Sequence, residues 1–257
     1  MKKLLAVLLS AVMVLGVSAC GSSSSSEEPA EETKQTEGTA EGIDVSDIKI
    51  GCIFIGDENE GYTYAHMKSV KDMQETLGIS DEQIIYKYNT PEDEACYDAA
   101  VDLAEQGCDI IFANSFGFED FILQAAEEYP EIQFCHATGY KAASSGLANV
   151  HNFFANIYEA RYVAGVVAGM KLAELYGADT DAKIGYVGAY SYAEVKSGYT
   201  AFFLGVRSIC PNVTMEVKYT GSWANQALEK ETAEALIADG CVLVSQHADT
   251  TGAASAA

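Results

Sequence analysis

An α/β fold of two lobes, each a parallel sheet flanked by helices, is predicted by this 257-residue sequence. Three observations lead to it. Short β-branched runs alternate with helical periods from Ile48 onward. The alternation restarts near Lys183 in a similar order. Aromatic, carboxylate and hydroxyl residues recur just after the strand-like runs, where ligands sit in open α/β sheets.

Taken in order, Ile48 to Ile55 reads as a strand ending at Gly56-Asp57, and Tyr64 to Leu77 as a helix stopped by Gly78. Ile84 to Tyr88 is a strand, and Asp93 to Gln106 a helix closed by Gly107. Asp109 to Ala113 is a buried strand leading into Asn114-Ser115-Phe116-Gly117. Glu119 to Glu128 is a helix ended by Tyr129-Pro130, and Ile132 to Ala137 a strand. This βαβαβαβ order implies a parallel sheet with helices on both faces. Asn149 to Phe154 adds a strand. Ile157 to Tyr176 is a long helix with Ala160, Ala164, Gly165, Ala168 and Gly169 along it, fit for close packing.

Lys183 to Gly188 then echoes Lys49 to Phe54, 134 residues later. Gly198-Tyr199-Thr200 echoes Gly61-Tyr62-Thr63 at an interval of 137, and Leu236 to Cys241 echoes Leu103 to Cys108 at 133. Three echoes at nearly one interval predict two lobes of one build. The boundaries they suggest are 48–155 for the first lobe and 156–257 for the second.

The N-terminal residues predict export. Lys2 and Lys3 precede an apolar run from Leu4 to Val17, then Val17-Ser18-Ala19-Cys20. A basic start, an apolar run and small residues before a cut describe a signal peptide over 1–19. The run is shorter than the roughly 20 apolar residues needed to span a bilayer. The cysteine after small residues resembles the lipobox of bacterial lipoproteins, whose thiol receives a diacylglycerol, so Cys20 is the expected lipid attachment site. From Gly21 to about Asp47 the chain is Ser, Glu, Thr, Gly and Ala, too polar to offset its ordering entropy by burial. Residues 20–47 therefore read as a lipidated cysteine and a flexible tether. The protein is expected at the outer face of the cell membrane.

Charge narrows the partners. Residues 1–19 hold two lysines and no acid, so residues 20–257 carry 13 basic against 38 acidic groups, a net of −25. A nucleic-acid-binding surface needs a basic patch, so none is expected. Beyond Cys20 the six cysteines form no CxxC pair and show no disulfide framework; most lie in apolar runs as small buried groups. The four histidines show no metal spacing, and neither metal nor cofactor is expected. No G-x-S-x-G elbow, no G-x-x-x-x-G-K-[ST] loop and no G-x-G-x-x-G after a strand occurs, so an enzyme is not expected.

Two facing parallel-sheet lobes form a cleft that a small molecule closes like a hinge. The post-strand segments that would line it are 57–62, 114–117, 136–139, 189–194, 222–223 and 247–250. They carry the aromatics Tyr62, Phe116, Tyr190, Tyr192 and Trp223, followed closely by Tyr140, with Glu194, Asp249 and Ser115 among them and Thr63 next to them. Aromatic faces with a few directed acceptors suit a flat, hydrogen-bonding ligand such as a nucleobase or nucleoside.

Specific segments carry a resemblance. Gly61-Tyr62-Thr63-Tyr64-Ala65-His66, Ile110 to Phe118, Phe134 to Lys141, Asn149-Val150 with Tyr158 to Gly169, Lys183 to Val187 and Gln246-His247-Ala248-Asp249 together resemble the basic membrane protein (PnrA-like) family of ABC-transporter substrate-binding lipoproteins, which includes purine nucleoside receptors. The likeness covers about Ile48 to Ala257. It implies a periplasmic-binding-protein-like type I clamshell, here without its C-terminal part, so that apolar faces stand uncovered. It implies a monomer that delivers a purine nucleoside or nucleobase to an ABC permease and ATPase complex. Other members carry an Asp-Asp-x-x-Phe-Asn stretch after the first strand, where the aspartate and asparagine contact ligand and the phenylalanine stacks on the base. Tyr62 falls at that aromatic, Thr63 replaces the asparagine, and Glu58-Asn59 replace the aspartate pair, which leaves free base and nucleoside both open.

Carried over residue by residue, Tyr62 stacks on the base, Ser115 and Gly117 offer hydroxyl and backbone donors, Glu194 and Asp249 accept from ligand N–H groups, and Trp223 supplies a second aromatic wall. Structural roles remain open beside these: Trp223 as a core or hinge plug, Tyr62 packing the following helix against the sheet, Glu194 at a helix N-terminus, and Ser115 or Asp249 as helix caps. A signalling receptor, a receptor for another small solute such as a sugar or riboflavin, and a nucleoside hydrolase are the alternative functions. Replacing Cys20 (Cys20→Ser) is expected to move the protein from the membrane fraction to the soluble fraction and to abolish incorporation of labelled palmitate. Retention at the membrane would refute the anchor.

Overall fold

The computed structural model describes residues 42–256. The expected signal peptide, Cys20 and the expected tether through residue 41 lie outside the described residues. Residues 43–47, which composition places in the tether, form a turn, and Gln83 Nε2 donates to the carbonyls of Val45 and Ile48, both at 2.8 Å.

The first sheet comprises β1 (Ile50–Ile53), β2 (Ile84–Lys87), β3 (Ile110–Ala113), β4 (Gln133–Ala137) and β5 (Val150–Phe153), in the order β2-β1-β3-β4-β5. All its pairings are parallel. Helix α1 (Gly61–Leu77) lies against one face, where Ile50, Cys52, Phe54 and Ile84 pack with Met67, Val70 and Met73. Helices α2 (Glu94–Glu105) and α3 (Glu119–Glu128) cover the other through Ile53, Leu103, Ile111, Ile122 and Phe134. A short α4 (Ala142–Ser145) precedes β5.

The second sheet has β6 (Lys183–Gly188), β7 (Thr214–Tyr219) and β8 (Cys241–His247) in the order β7-β6-β8, again parallel. Helices α5 (Ile157–Tyr176) and α6 (Ala193–Arg207) pack on one face around Leu172, Ile184, Tyr186, Phe202 and Val206. Helix α7 (Gln226–Ala238) covers the other through Ala233 and Leu236.

The duplication shows in the element starts. Ile50 to Lys183, Gly61 to Ala193, Ile84 to Thr214, Glu94 to Gln226 and Ile110 to Cys241 are intervals of 133, 132, 130, 132 and 131 residues. Strand order repeats too, since β2-β1-β3 has its counterpart in β7-β6-β8. The echo at Gly198 is coincidental: Gly198 lies within α6, whereas Gly61 opens α1.

Helix α1 begins three residues before the Tyr64 that periodicity suggests. Glu60 is extended, and its carboxylate accepts from the backbone N–H groups of Tyr62 and Thr63. Those donors would otherwise be orphaned at the helix start. Gly78 ends the helix at φ 74, in the left-handed region.

The small residues of α5 allow the close approach they suggest. A Cβ on Gly165 would lie 2.0 Å from the Phe202 carbonyl oxygen, and one on Gly205 of α6 would lie 2.2 Å from that of Tyr162. The opposite side of α5 turns Val163, Val167 and Met170 to solvent at 61%, 61% and 59% exposure. No described helix is long and apolar enough to cross a membrane. All six cysteines among the described residues are unpaired, and burial pushes the Cys52 thiol up to about 12.

Forcing a methyl group into the helix contact (Gly205→Ala) is expected to cost about 1–3 kcal/mol, at about 2–4 °C of Tm per kcal/mol for a domain of this size. Gly61→Ala, with nothing within 4 Å of its Cβ, is the matched control and should leave Tm nearly unchanged. Thermal melts by circular dichroism compare the two, and equal shifts would contradict the packing account.

Candidate functional site

Both sheets end toward a common cleft. A cavity of about 260 Å³ opens there, lined from the first sheet's side by Ile55, Tyr62, Asn114, Ser115, Phe116 and Thr138, and by the crossover residues Phe154 and Ala155. Ile157 and Arg161 of α5, Glu194 of α6, Trp223, His247 and Asp249 complete it. A wider polar mouth includes Asp57, Asn59, Glu60, Asn89, Glu92, Tyr190, Tyr192 and Ser222, and shares Ile55, Trp223 and Asp249 with the cavity.

Of the seven binding residues expected from sequence, Tyr62, Ser115, Glu194, Trp223 and Asp249 line the cavity, whereas Thr63 and Gly117 do not. The early start of α1 turns Thr63 inward; it is fully buried, and its hydroxyl accepts from Asn114 Nδ2 at 3.4 Å. Thr63 therefore cannot substitute for a ligand-contacting asparagine. The Gly117 N–H donates to Glu92 Oε1 at 2.8 Å, and the Ser115 hydroxyl donates to the same oxygen at 2.6 Å. Neither is a free donor. The Trp223 indole N–H also donates to that oxygen, at 3.0 Å, leaving the ring as a wall.

Tyr62 combines two roles. It sits in the first turn of α1 and its hydroxyl donates to the Asn114 carbonyl, while its ring meets His66 edge-on at 4.6 Å. That bond fixes the ring at the cavity edge. Further out, Phe116 stacks on Tyr192 at 4.7 Å, Tyr192 on Tyr190 at 5.0 Å, and Tyr190 meets Trp223 edge-on at 5.4 Å. Tyr140 is 62% exposed and contributes nothing to the cavity.

The electrostatics are acidic with one permanent cation. Glu194 stands in the first turn of α6, and its carboxylate lies 3.4 Å from His247 Nε2. Asp249 follows β8, where its backbone N–H donates to the Trp223 carbonyl at 2.7 Å. Burial first, and then the charges of Glu60, Glu194 and Glu229, push the Asp249 carboxyl up to about 7; Arg161 opposes this only in part. Arg161 donates through one terminal nitrogen to the Gln246 carbonyl at 3.0 Å, while its buried Nε has no partner. Thr138 has a buried hydroxyl without a partner and a φ of 67. A β-branched residue in that region is strained, and such strain concentrates at functional sites.

Sequence reasoning placed Asn114, Thr138 and His247 in segments expected to line the cleft without naming any of them as a ligand contact, and it did not single out Arg161 or Glu92. His136, in contrast, is structural. Its Nε2 donates to the Ser115 carbonyl at 2.6 Å, so its Nδ1 is free to accept from Asn152 Nδ2 at 3.3 Å. Burial lowers its pKa, consistent with this neutral tautomer. No group of metal-ligating side chains occurs among the described residues.

Comparison with known proteins gives a consistent picture. A family model described as "ABC transporter substrate-binding protein PnrA-like" matches residues 50–257. A purine-binding protein of Brucella abortus is 34% identical over 80% of this chain and 56% of its own length. A putative ABC transporter glucose-binding protein of Haloferax volcanii is 28% identical over 89% of this chain and 59% of its own. The chain thus spans less than two thirds of these relatives. Among solved structures, a solute-binding protein of an ABC transporter from Aeropyrum pernix superposes with a TM-score of 0.68 at 20% identity, covering 81% of this chain and 58% of that one. A glucose-galactose binding protein from Geobacillus stearothermophilus gives 0.60 at 14%, covering 82% and 73%. These structures establish the periplasmic-binding-protein-like α/β architecture.

The raised Asp249 value sets a pH dependence. With the folded pKa near 7 and the ordinary value 3.8, the folded state holds a proton that the unfolded chain releases between them. Stability from this group is complete below about pH 4 and is lost as pH rises through about 7. The gap corresponds to at most about 4 kcal/mol, less for a half-buried carboxyl. Asp249→Asn, which mimics the protonated form, is expected to stabilise the protein against urea by about 1–3 kcal/mol at pH 8 and hardly at all at pH 4. An equal effect at both pH values would contradict the assignment.

Proposed function

This chain belongs to the PnrA-like family of ABC transporter substrate-binding proteins, and we propose that it captures a purine nucleobase or nucleoside in the inter-lobe cavity and delivers it to a permease and ATPase complex. The observation that carries this reading is the make-up of the cavity. Aromatic rings from both lobes bound a space suited to a flat molecule, and it is lined by the carboxylates of Glu194 and Asp249 and by the unpartnered Thr138 hydroxyl, Arg161 Nε and His247 Nδ1.

A purine ring supplies what these groups lack. Its N–H groups donate to Glu194 and Asp249, and its ring nitrogens accept from the Thr138 hydroxyl or Arg161 Nε. An Asp249 carboxyl that titrates near neutrality donates and accepts together, which matches an N–H and a ring nitrogen side by side on one purine edge. Such pairing gives selectivity, because an analogue lacking the N–H leaves a buried acceptor unpaired. The acidic lining disfavours nucleotides, whose phosphates repel it. With Thr63 buried, ribose is not read from that position; it would extend into the polar mouth between Asp57, Asn59 and Asn89. The role is binding without turnover. The purine-binding relative from Brucella abortus supports the ligand class. In this reading the chain is exported and attached through Cys20 at the outer face of the cell membrane.

Thermal shift of the full-length protein against adenine, guanine, hypoxanthine, adenosine, guanosine, inosine, riboflavin, ribose and glucose tests this. A ligand at a hundredfold its Kd stabilises by about 2.7 kcal/mol, so a purine should raise Tm by several degrees, with no product on chromatography. Thr138→Val and Glu194→Gln should each weaken that purine about tenfold or more. A rise with glucose alone would keep the fold and overturn the ligand.

A further inference from the structure

Glu92 lies in the turn between β2 and α2, a stretch for which the sequence suggested no role. Its Oε1 accepts three donors: the Ser115 hydroxyl at 2.6 Å, the Gly117 N–H at 2.8 Å and the Trp223 indole N–H at 3.0 Å. Ser115 and Gly117 follow β3 of the first sheet, whereas Trp223 follows β7 of the second. One carboxylate oxygen thus ties the two halves together. The local backbone is shaped around it, since a Cβ on Gly117 would lie 2.5 Å from the Glu92 carboxyl carbon. The Phe116–Tyr192 stack at 4.7 Å brings a ring from each half together beside it. Hydrogen bonds to an ionised carboxylate are among the stronger ones in proteins. Glu92 also lines the polar mouth, so water can replace the Trp223 donor when the halves part. The contact is therefore reversible, as a closing device must be.

We propose that Glu92 is a positioning residue for ligand capture, a latch that draws Trp223 against the Ser115–Gly117 turn and so holds the cleft closed over its occupant. The proposal rests on the reading of the cleft as a ligand-binding clamshell. Glu92 acts through Trp223 and is not itself a base-recognising group; its bonds fix the orientation of the aromatic wall and slow the escape of the ligand.

Trp223 is the only tryptophan in the chain, so its fluorescence reports the latch directly. In the unliganded full-length protein, Glu92→Ala should red-shift Trp223 emission and raise its quenching by acrylamide. Glu92→Gln, isosteric and safer for folding, should do the same to a smaller extent. Calorimetric titration with adenine and adenosine gives the second readout. Glu92→Ala and Trp223→Phe should each weaken binding about tenfold, and the double variant should be little worse than Glu92→Ala alone, because the Trp223–Glu92 bond is already lost in that variant. Unchanged emission and quenching in a variant with native circular dichroism would overturn the latch, as would fully additive losses. If the wild type binds neither purine, the ligand reading fails, and the fluorescence of the unliganded variants still decides the latch.

Discussion

The Asp249 carboxyl is held half-buried among other acids, with Arg161 as the one permanent cation lining the cavity. Gathering carboxylates at the mouth of two parallel sheets is costly unless each finds a donor. Glu60 finds two at the start of α1, and Glu92 finds three. Glu229 of α7 accepts from the Thr250 hydroxyl at 2.6 Å, and Glu194 lies beside His247. Asp249 has no such partner, and burial together with the charges of Glu60, Glu194 and Glu229 pushes its carboxyl up to about 7. Glu60, Glu92 and Glu229 are satisfied internally, whereas Glu194 and Asp249 line the inner cavity. Under the proposed function, that division favours a ligand rich in N–H groups.

The two sheets supply the frame for this. Parallel strands end together, so every strand of a lobe presents its following loop to the same side. The near-constant interval between corresponding elements, with the shared order β2-β1-β3 and β7-β6-β8, means that both lobes present equivalent loops. The loop after β3 brings Ser115 and Phe116, and the loop after β8 brings Asp249. Close helix packing at Gly165 and Gly205 holds α5 against α6, and with it Arg161 and Glu194, which reach the cavity from those two helices.

Much of this was legible in the sequence. Strand and helix runs between glycine punctuation follow from local periodicity, and the post-strand loops predicted the cleft. Boundaries failed where capping was unusual: Glu60 is not a common N-cap residue, so α1 appeared to begin later and Thr63 appeared to be free. Glu92 was illegible because its partners lie 23, 25 and 131 residues away. Arg161 did leave a signal, as the only basic residue before Lys171 in a mostly apolar helix. Thr138 lay within a segment already suspected, but its strained φ and unpaired hydroxyl are properties of the fold alone.

The most direct test of the central claim is a crystal structure of the protein grown with adenine or adenosine. The account places the purine ring in the inner cavity against Trp223 and Tyr62, with the Asp249 carboxyl and Thr138 hydroxyl in hydrogen-bond contact with its edge. Ribose, where present, points to the mouth. Purine density confined to the mouth, or an inner cavity holding a sugar with Asp249 unpaired, would contradict it.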